Sequence, residues 1–425
     1  MALYAQVLNV AIPFFMVLIG IEYLCAWKKG VKAFRAFDTI SSLSSGITNI
    51  WKDVLGLTIV ILSYTWLYDH LALIQMPEGW VMYVMAFVGL DFAGYWSHRF
   101  EHRINLLWNR HIIHHSSEEF NLACALRQSI STVFALFFFL MIPTALLGVS
   151  PKVVTVVAPI HLFAQFWYHT RLIDKMGLLE YVIVTPSHHR VHHAINAEYL
   201  DRNFAQIFIL WDKLFGTFQE ELADVPPVYG VKRAVRTWNP MLINLQHFWL
   251  MLQDAFRTRS LVDKLKLWVM PTGWRPRDVA VAYPVDTIEA VYAQEKYDTS
   301  ASAARVAWTW CQLVMTLVLT FYLFNTIADQ SFAHMLLYGA ITMAGVFSYT
   351  SVMDGSKVAL PAELIKVGLA VFAIVTIGDW FGLDDVMPWG TLLVCGYLVM
   401  SLVMTLYFLY VEQVVSGSAL GRETG

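Results

Sequence analysis

Residues 98–115 read HRFEHRINLLWNRHIIHH and place five histidines directly after an apolar run that ends at Trp96. They form two sets with helical spacing, HxxxH at His98 and His102 and HxxHH at His111, His114 and His115. Side chains three or four residues apart lie on one face of a helix. Each set can therefore direct two or three imidazoles at one point.

The other histidines of this region extend the pattern. Eleven of the 14 histidines in the chain lie between His98 and His193. The later ones are a lone His169 and a second HxxHH set at His189, His192 and His193, which His188 precedes. Neutral imidazole binds Zn, Cu, Fe and Ni, and nine converging nitrogens exceed the four ligands of a structural zinc site. The number predicts two metal ions.

The remaining histidines lie apart from these sets. We assign no ligand role to His70, His247 or His334. His161 precedes His169 by eight residues, which is about 12 Å along a helix. That distance is too long for a ligand of the same ion, so His161 has either a structural role or a place in a substrate cavity.

The donor set favours oxygen chemistry over hydrolysis. Hydrolytic zinc sites keep three protein ligands and an open water position, and the HExxH zinc-protease signature is absent because Arg99 and Ile112 follow the first histidines of the two sets. The four cysteines are scattered without CxxC spacing, so no thiolate site is predicted. Activation of O2 at two iron ions is the better match for so many nitrogens.

The composition is that of an integral membrane protein. Of the 425 residues, 57% are hydrophobic and 14% are charged, against roughly 25% charged in a soluble domain. Most of the apolar blocks approach the ~20 residues with which a helix crosses a bilayer. We count about nine, at 4–26, 54–75, 80–97, 130–148, 151–168, 304–326, 333–352, 361–378 and 388–411. The blocks 80–97 and 361–378 are short enough to be re-entrant or interfacial instead.

Basic residues predict the orientation. The first block has no cleavage site and indicates a retained anchor, and it is followed by Lys28, Lys29, Lys32 and Arg35. By the positive-inside tendency this loop is cytoplasmic. Alternation of the blocks then puts 98–129 and 169–303 on the same side. We expect a multi-pass protein of a bacterial inner membrane or the endoplasmic reticulum, with its histidines on the cytoplasmic face.

The chain divides into three zones. N-terminal membrane helices with the first histidine sets occupy 1–168, a cytoplasmic helical cap with the last set occupies 169–303, and C-terminal membrane helices occupy 304–425. Within the cap, residues 241–257 are amphipathic and either lie in the membrane interface or cover the ends of the bundle. The predicted fold is an all-α, polytopic membrane helix bundle whose cap carries a histidine-rich dinuclear metal site.

Several stretches resemble the fatty acid hydroxylase/sterol desaturase superfamily, whose mark is an HxxxH, an HxxHH and a later HxxHH box. They are DFAGYWSHRFEH, HIIHHSSEEFNLACALRQS, QFWYHT, TPSHHRVHH, NFAQIFILWDKLFGTF and VYGVK. The likeness covers about 85–240 and, more loosely, the rest of the chain. Within the superfamily the sequence most resembles the alkylglycerol monooxygenase family.

The resemblance implies a set of ligands for two iron ions. By position they are His98, His102, His111, His114, His115, His189, His192 and His193, with His169 and His188 as further members. Gln165 stands where some superfamily members have another histidine, and it is a candidate to support a ligand histidine. Ligand histidines usually donate their second N–H to a carboxylate or carbonyl, and Asp91, two turns before His98, is the best candidate for such a partner. Glu118, Glu119 and Asp212 are further candidates, each with the alternative of an ordinary ion pair with arginine.

One position departs from the family. Directly after the second histidine of the first box we expect an acid tied to pterin use, but this chain has Arg103, and Glu101 precedes the histidine instead. The departure argues against tetrahydrobiopterin. The chain shows no flavin, haem or NAD fingerprint, so the electrons must come from an external reductant, either a reduced pterin or an electron-transfer protein.

The resemblance implies a membrane-bound di-iron monooxygenase that hydroxylates a lipid C–H bond with O2. In an alkylglycerol-type lipid the carbon attacked adjoins the ether oxygen, and the product breaks into an aldehyde and a glycerol derivative. One alternative is a sterol or fatty-acyl hydroxylase or desaturase of the same superfamily. Another is a non-catalytic metal transporter or sensor, which would need ligands at mid-membrane. Membrane lipid and O2 are the expected partners, and nucleic acid is not.

Overall fold

The computed structural model describes residues 2–57, 63–131 and 136–412. Its α-helices are α1 (Ala2–Lys29), α2 (Ala36–Val54), α3 (Tyr64–Leu71), α4 (Trp80–Arg103), α5 (Asn105–Trp108), α6 (Ile112–His115), α7 (Ile142–Leu146), α8 (Pro151–Phe163), α9 (Pro186–His192), α10 (Leu210–Leu214), α11 (Pro240–Arg257), α12 (Leu261–Lys266), α13 (Arg277–Ala282), α14 (Ala303–Thr326), α15 (Phe332–Met353), α16 (Ala359–Ile377), α17 (Leu383–Val386) and α18 (Gly390–Leu406). The described residues contain no β-strand, which confirms the predicted all-α class.

Five helices within the described ranges are long and apolar enough to cross a membrane. They are Ala5–Lys29 of α1, Ala303–Asp329 (α14 and the turn after it), α15, α16, and Gly390–Val411 (α18 and the π-turn after it). The chain is an integral membrane protein. The predicted count of about nine segments is higher than the number of such helices in the described part of the chain.

The other four predicted blocks end early or are interrupted. Block 151–168 gives α8, which ends at Phe163 after 13 residues. Block 130–148 contains α7, which stops before Gly148, a residue with a φ of +69°; residues 132–135 lie outside the described part. Block 54–75 gives the eight residues of α3, and its residues 58–62 also lie outside. Block 80–97 lies within α4, whose helix continues through the charged residues up to Arg103.

A polar helix absent from the predicted segments, α2, lies in the centre of the fold. Its serines at 41, 42, 44 and 45 are buried, and Ser42 and Ser44 donate to carbonyl oxygens one turn back, at 2.9 and 2.6 Å. Small hydroxyl residues satisfied within their own helix let neighbouring helices approach closely. Because polar residues interrupt its apolar ones, this buried helix is not detected by a search for hydrophobic blocks.

The main core forms where α2 packs against α14 and α15. Trp51 of α2 is fully buried, stacks on Tyr338 at 5.7 Å between ring centroids, and donates through Nε1 to Thr320 Oγ1 at 3.3 Å. An aromatic side chain of this size contributes a large share of core stability when buried. The contact joins the N-terminal part of the chain to the C-terminal membrane helices.

A second unit forms around α4, which packs against α8 and positions the histidine region. Gly94 lets Gln206 pack closely on α4, because a Cβ there would lie 2.0 Å from Gln206 Oε1 and the glutamine side chain would have to move. The missing side chain lets the segment around residues 203–209 lie directly against α4. That segment also contacts the histidines at the end of the same helix.

Candidate metal centre

Nine histidines from four parts of the chain meet in one region. α4 supplies His98 and His102, α6 and the residue before it supply His111, His114 and His115, the turn after α8 supplies His169, and α9 with the residue after it supplies His189, His192 and His193. All are buried except His111, which is partly buried. Residues far apart in the sequence thus share one site.

The nine side chains form two groups, and within each group the ligand nitrogens lie within 4.8 Å of one another. The first group is His98, His102, His111, His115 and His192, and the second is His114, His169, His189 and His193. The groups adjoin, because the rings of His115 and His193 stack at 4.3 Å between centroids. The arrangement is that of two neighbouring sites of several nitrogens each.

The shortest separations join Nε2 atoms. In the first group, His98 lies 2.9 Å from His111, and His102 lies 3.1 Å from His115. In the second group, His189 lies 2.9 Å from His169 and 3.0 Å from His193. Two nitrogens that each bind one ion at ~2.1 Å lie about 3.0–3.4 Å apart. The observed separations match those of ligands around a shared ion.

The protonation of two rings shows why a cation is needed. His114 donates its Nδ1–H to the Arg127 carbonyl at 3.2 Å, and His169 donates its Nδ1–H to the Gln165 carbonyl at 3.1 Å. In a neutral imidazole the other nitrogen is then an acceptor. The two Nε2 atoms nevertheless face each other at 3.3 Å. Two lone pairs at that distance repel unless a cation lies between them, so the residues fit a metal ion.

Burial keeps these imidazoles neutral. It lowers the pKa of every histidine in both groups, and to about 4 for His114. Neighbouring imidazoles lower the pKa of most of them further, since two adjacent positive charges repel. Metal binding requires the unprotonated nitrogen. The site therefore holds its ligands in the binding form around neutral pH.

The segment 201–204 orients two histidines of the first group through its backbone carbonyls. The carbonyls of Arg202 and Phe204 accept Nδ1–H bonds from His192 at 2.9 Å and from His98 at 2.7 Å. The Nε2 of His192 is buried and has no hydrogen-bond partner among the described residues. A hydrogen bond on one ring nitrogen fixes the tautomer that leaves the other free for a metal.

Asp201 supplies a carboxylate at this edge of the site. Its Oδ1 lies 3.7 Å from His102 Nδ1, and its Oδ2 lies 3.5 Å from Arg103. An acid from another segment thus lies beside the position where Arg103 departs from the family pattern. Glu101 is placed similarly, with Oε2 3.6 Å from His111 Nδ1 and Oε1 bound to Arg110 at 3.0 Å. Sequence spacing gave no signal for Asp201, which follows the last box by eight residues.

Asp201→Asn is expected to weaken metal binding about 10-fold, the lower end of the effect of losing a carboxylate behind a ligand histidine. The amide removes the negative charge that favours metal-bound His102 and keeps the size of the side chain. Metal per chain during dialysis against a graded chelator measures the change. Asp174→Asn is the matched control, because Asp174 is an exposed acid. Equal metal retention in both variants would count against a role for Asp201.

His188 and His161 lie outside both groups. The sequence predicted His188 as a ligand, but its Nδ1 faces the backbone N–H of Thr185 at 3.4 Å and caps the first turn of α9. Its ring therefore takes part in capping the N-terminus of α9. His161 lies deeper along α8, as its distance from His169 predicted, and bonds Asp91 Oδ1 through Nε2 at 2.9 Å.

The predicted partner Asp91 contacts no histidine of either group. It is fully buried, and besides His161 its carboxylate accepts the N–H groups of Ile207, Phe208 and Trp211 Nε1 at 2.8–3.0 Å. Asp91 and His98 share a face of α4, but seven residues separate them by about 10 Å along the axis. A short carboxylate side chain does not span that gap.

None of the other predicted partners contacts a histidine of the two groups through its side chain. The side chain of Gln165 faces His161 Nδ1 at 3.3 Å, and only its carbonyl contacts His169. Asp212 accepts from the backbone of Phe204 at 2.8 Å and so supports the carbonyl that orients His98. The acids at 118 and 119 form ion pairs with Arg35, Lys296 and Arg171.

A cavity of about 600 Å³ opens onto the first group through His102, His115 and His192. The second group does not line it. The inner face of α11 forms one wall, while Leu245, Trp249 and Phe256 on its other face are exposed. Its volume lies within the roughly 300–1,000 Å³ of small-molecule sites.

Comparison with known proteins agrees with this site. Residues 83–217 match the family model described as Fatty acid hydroxylase. An alkylglycerol monooxygenase of Homo sapiens is 32% identical over 336 residues, 78% of this chain and 73% of that protein. One of Xenopus tropicalis is 30% identical over 365 residues, covering 85% and 80%.

A more distant relative is an ornithine lipid hydroxylase of Rhizobium tropici, which is 30% identical over 146 residues, 33% of this chain and 44% of that protein. No solved structure matches the chain. The long alignments with the alkylglycerol monooxygenases span most of both partners and include the histidine boxes. The chain therefore belongs to the alkylglycerol monooxygenase family of the fatty acid hydroxylase/sterol desaturase superfamily, and it is an oxygen-dependent oxidoreductase.

Proposed function

We propose that the protein is a di-iron monooxygenase that hydroxylates the carbon next to the ether oxygen of an alkylglycerol-type lipid. The names of its relatives supply the substrate class. One oxygen atom of O2 enters the C–H bond, and the other leaves as water with two electrons and two protons from a reductant. The hydroxylated carbon then carries two oxygens and breaks into an aldehyde and a glycerol derivative.

The observation that carries the proposal is the cavity that ends on the first histidine group. Its wall includes His102, His115 and His192 together with apolar side chains such as Trp108 and Leu250. Two iron ions bound by the nine histidines would supply the activation of O2. The walls of the cavity would hold the head group and the adjoining part of the alkyl chain, so that the carbon next to the ether oxygen lies near these histidines.

The location at the membrane suits such a substrate. We propose that the histidine groups lie on the cytoplasmic side, where Lys28 and Lys29 end α1. The exposed apolar face of α11 would then contact the membrane interface while its inner face lines the cavity. An alkyl chain could stay near the lipid while its head group enters.

Two other functions are less well supported. A sterol or fatty-acyl hydroxylase or desaturase would use the same histidines, and the relationship to an ornithine lipid hydroxylase covers only part of the chain. A metal transporter would need ligands within its spanning helices. In the five candidate spans described here, the one histidine is His334 in α15.

The test is an oxygen-consumption screen of the purified, iron-loaded protein with alkylglycerols, sterols and acyl lipids. One arm contains a reduced pterin and the other a reduced electron-transfer protein, which separates the two classes of reductant. We expect one fatty aldehyde per O2 consumed with alkylglycerols only. Chelated protein is the matched control. A new double bond or ring hydroxyl in another lipid, with the ether lipid intact, would overturn the ether-cleavage proposal.

A further inference from the structure

The wall of the cavity carries a positive charge that forms no ion pair within the described residues. Arg233 lines the cavity, and its Nη1 is buried without a hydrogen-bond partner in the described part of the chain. No ion pair of Arg233 is found there either. A buried guanidinium nitrogen without an acceptor is unfavourable, and such groups are ordinarily paired. Among the described residues Arg233 therefore remains available to a bound anion.

The acids of the cavity wall are already engaged. The lining contains two, Asp201 and Asp254. Asp254 receives two hydrogen bonds from Arg275, at 2.6 and 2.8 Å, and Asp201 lies beside Arg103 and His102. Burial and the nearby charge of Arg275 lower the pKa of Arg233, and the carboxylate of Asp254, which already pairs with Arg275, offsets them only in part.

Two further polar atoms of the lining have no partner. They are Gln246 Oε1 and Thr272 Oγ1, both buried. The neighbouring Lys232 differs, because its ammonium group donates to the Ile288 carbonyl. An arginine and a threonine hydroxyl can donate to an oxyanion, and the glutamine oxygen can accept from a hydroxyl. Together they complement a head group that carries both a phosphate and a free hydroxyl.

We propose that Arg233 binds the phosphate of a lipid substrate, so that the cavity accepts phosphorylated ether lipids in preference to uncharged ones. This inference rests on the proposed function, because it takes the cavity as the substrate site. The guanidinium fork matches phosphate oxygens with two parallel bonds. Since the same cavity reaches His102, His115 and His192, a head group held at Arg233 lies in the space that leads to the first histidine group.

The experiment measures binding, which needs no turnover. The purified protein in neutral detergent micelles is titrated with radiolabelled hexadecylglycerol and with its phosphate ester, which differ only in the phosphate. We expect Arg233→Gln to weaken binding of the ester at least about tenfold, as for the loss of a charge-assisted hydrogen bond, and to leave hexadecylglycerol unchanged. Arg233→Lys keeps the positive charge but not the two parallel donors, and its affinity for the ester should lie between those of the wild type and Arg233→Gln.

The control is Arg236→Gln, which removes an exposed cation three residues away that does not line the cavity. Unchanged binding of the ester by Arg233→Gln, or equal loss of both lipids, would overturn the proposal. Displacement of the ester by an equal concentration of inorganic phosphate would also overturn it, since the anion would then be a soluble one. A protein that binds the ester but forms no aldehyde would contradict the proposed reaction and leave the Arg233 site standing.

Discussion

His192→Ala is expected to lose one of the two proposed iron ions and to lower turnover at least about a thousandfold, as removal of an essential group does. His192 is bonded through Nδ1 to the Arg202 carbonyl, and its buried Nε2 has no hydrogen-bond partner among the described residues. A methyl group cannot replace that ligand. Iron per chain and aldehyde formation on the purified protein measure the effect, and His114→Ala tests the second group in the same way.

His188→Ala is the matched control for this experiment. His188 lies on the same helix and is buried like His192, but it belongs to neither group and bonds Thr185 instead. Its loss should leave iron and turnover near the wild-type values and cost about 1 kcal/mol of stability, as for a helix cap. A full complement of iron in His192→Ala would contradict the assignment, and so would equal iron loss in both variants.

The histidine sets were predictable because helical spacing is a local property. Residues three or four apart share a face whatever the rest of the chain does, and the nine histidines that meet were all among those predicted. Spacing could not show that His189 joins a histidine group and His188 does not, because this depends on the residue at which α9 begins. Thr185 and Pro186 fix that start, and the ring of His188 is used in capping it.

Contacts made between segments could not be read from the sequence. Asp201 and Asn203 adopt φ values of +57° and +55°, and this turn delivers a carboxylate and two carbonyls to the first group. Nothing in the spacing of the boxes indicates such a turn. The buried helix α2 was missed for another reason, since hydroxyls such as those of Ser42, Ser44 and Thr48 donate to carbonyls of their own helix. A hydrophobicity criterion does not detect a helix of this kind.

Asp91→Ala is expected to destabilise the fold by about 4 kcal/mol or more, because each buried donor left without an acceptor costs roughly 1–3 kcal/mol. The carboxylate accepts from Ile207, Phe208, Trp211 and His161, and alanine leaves all of them without it. The bonds join α4 to α8, to α10 and to the segment before α10. Thermal unfolding of the purified variant in detergent should show a clearly lower midpoint, and Asp91→Asn, which keeps one acceptor oxygen, should lie between.

Glu78→Ala is the matched control, because its ion pair with Lys152 at 3.5 Å is exposed on both sides and such pairs contribute about 0–1 kcal/mol. An unfolding midpoint for Asp91→Ala equal to that of Glu78→Ala would contradict the structural role.

Metal binding separates this role from that of Asp201. The folded fraction of Asp91→Ala should retain iron through a chelator series that strips Asp201→Asn, because Asp91 touches His161 and Asp201 faces His102. Loss of iron from Asp91→Ala at the same chelator concentration would instead indicate that Asp91 supports a ligand histidine, as its position on α4 predicted.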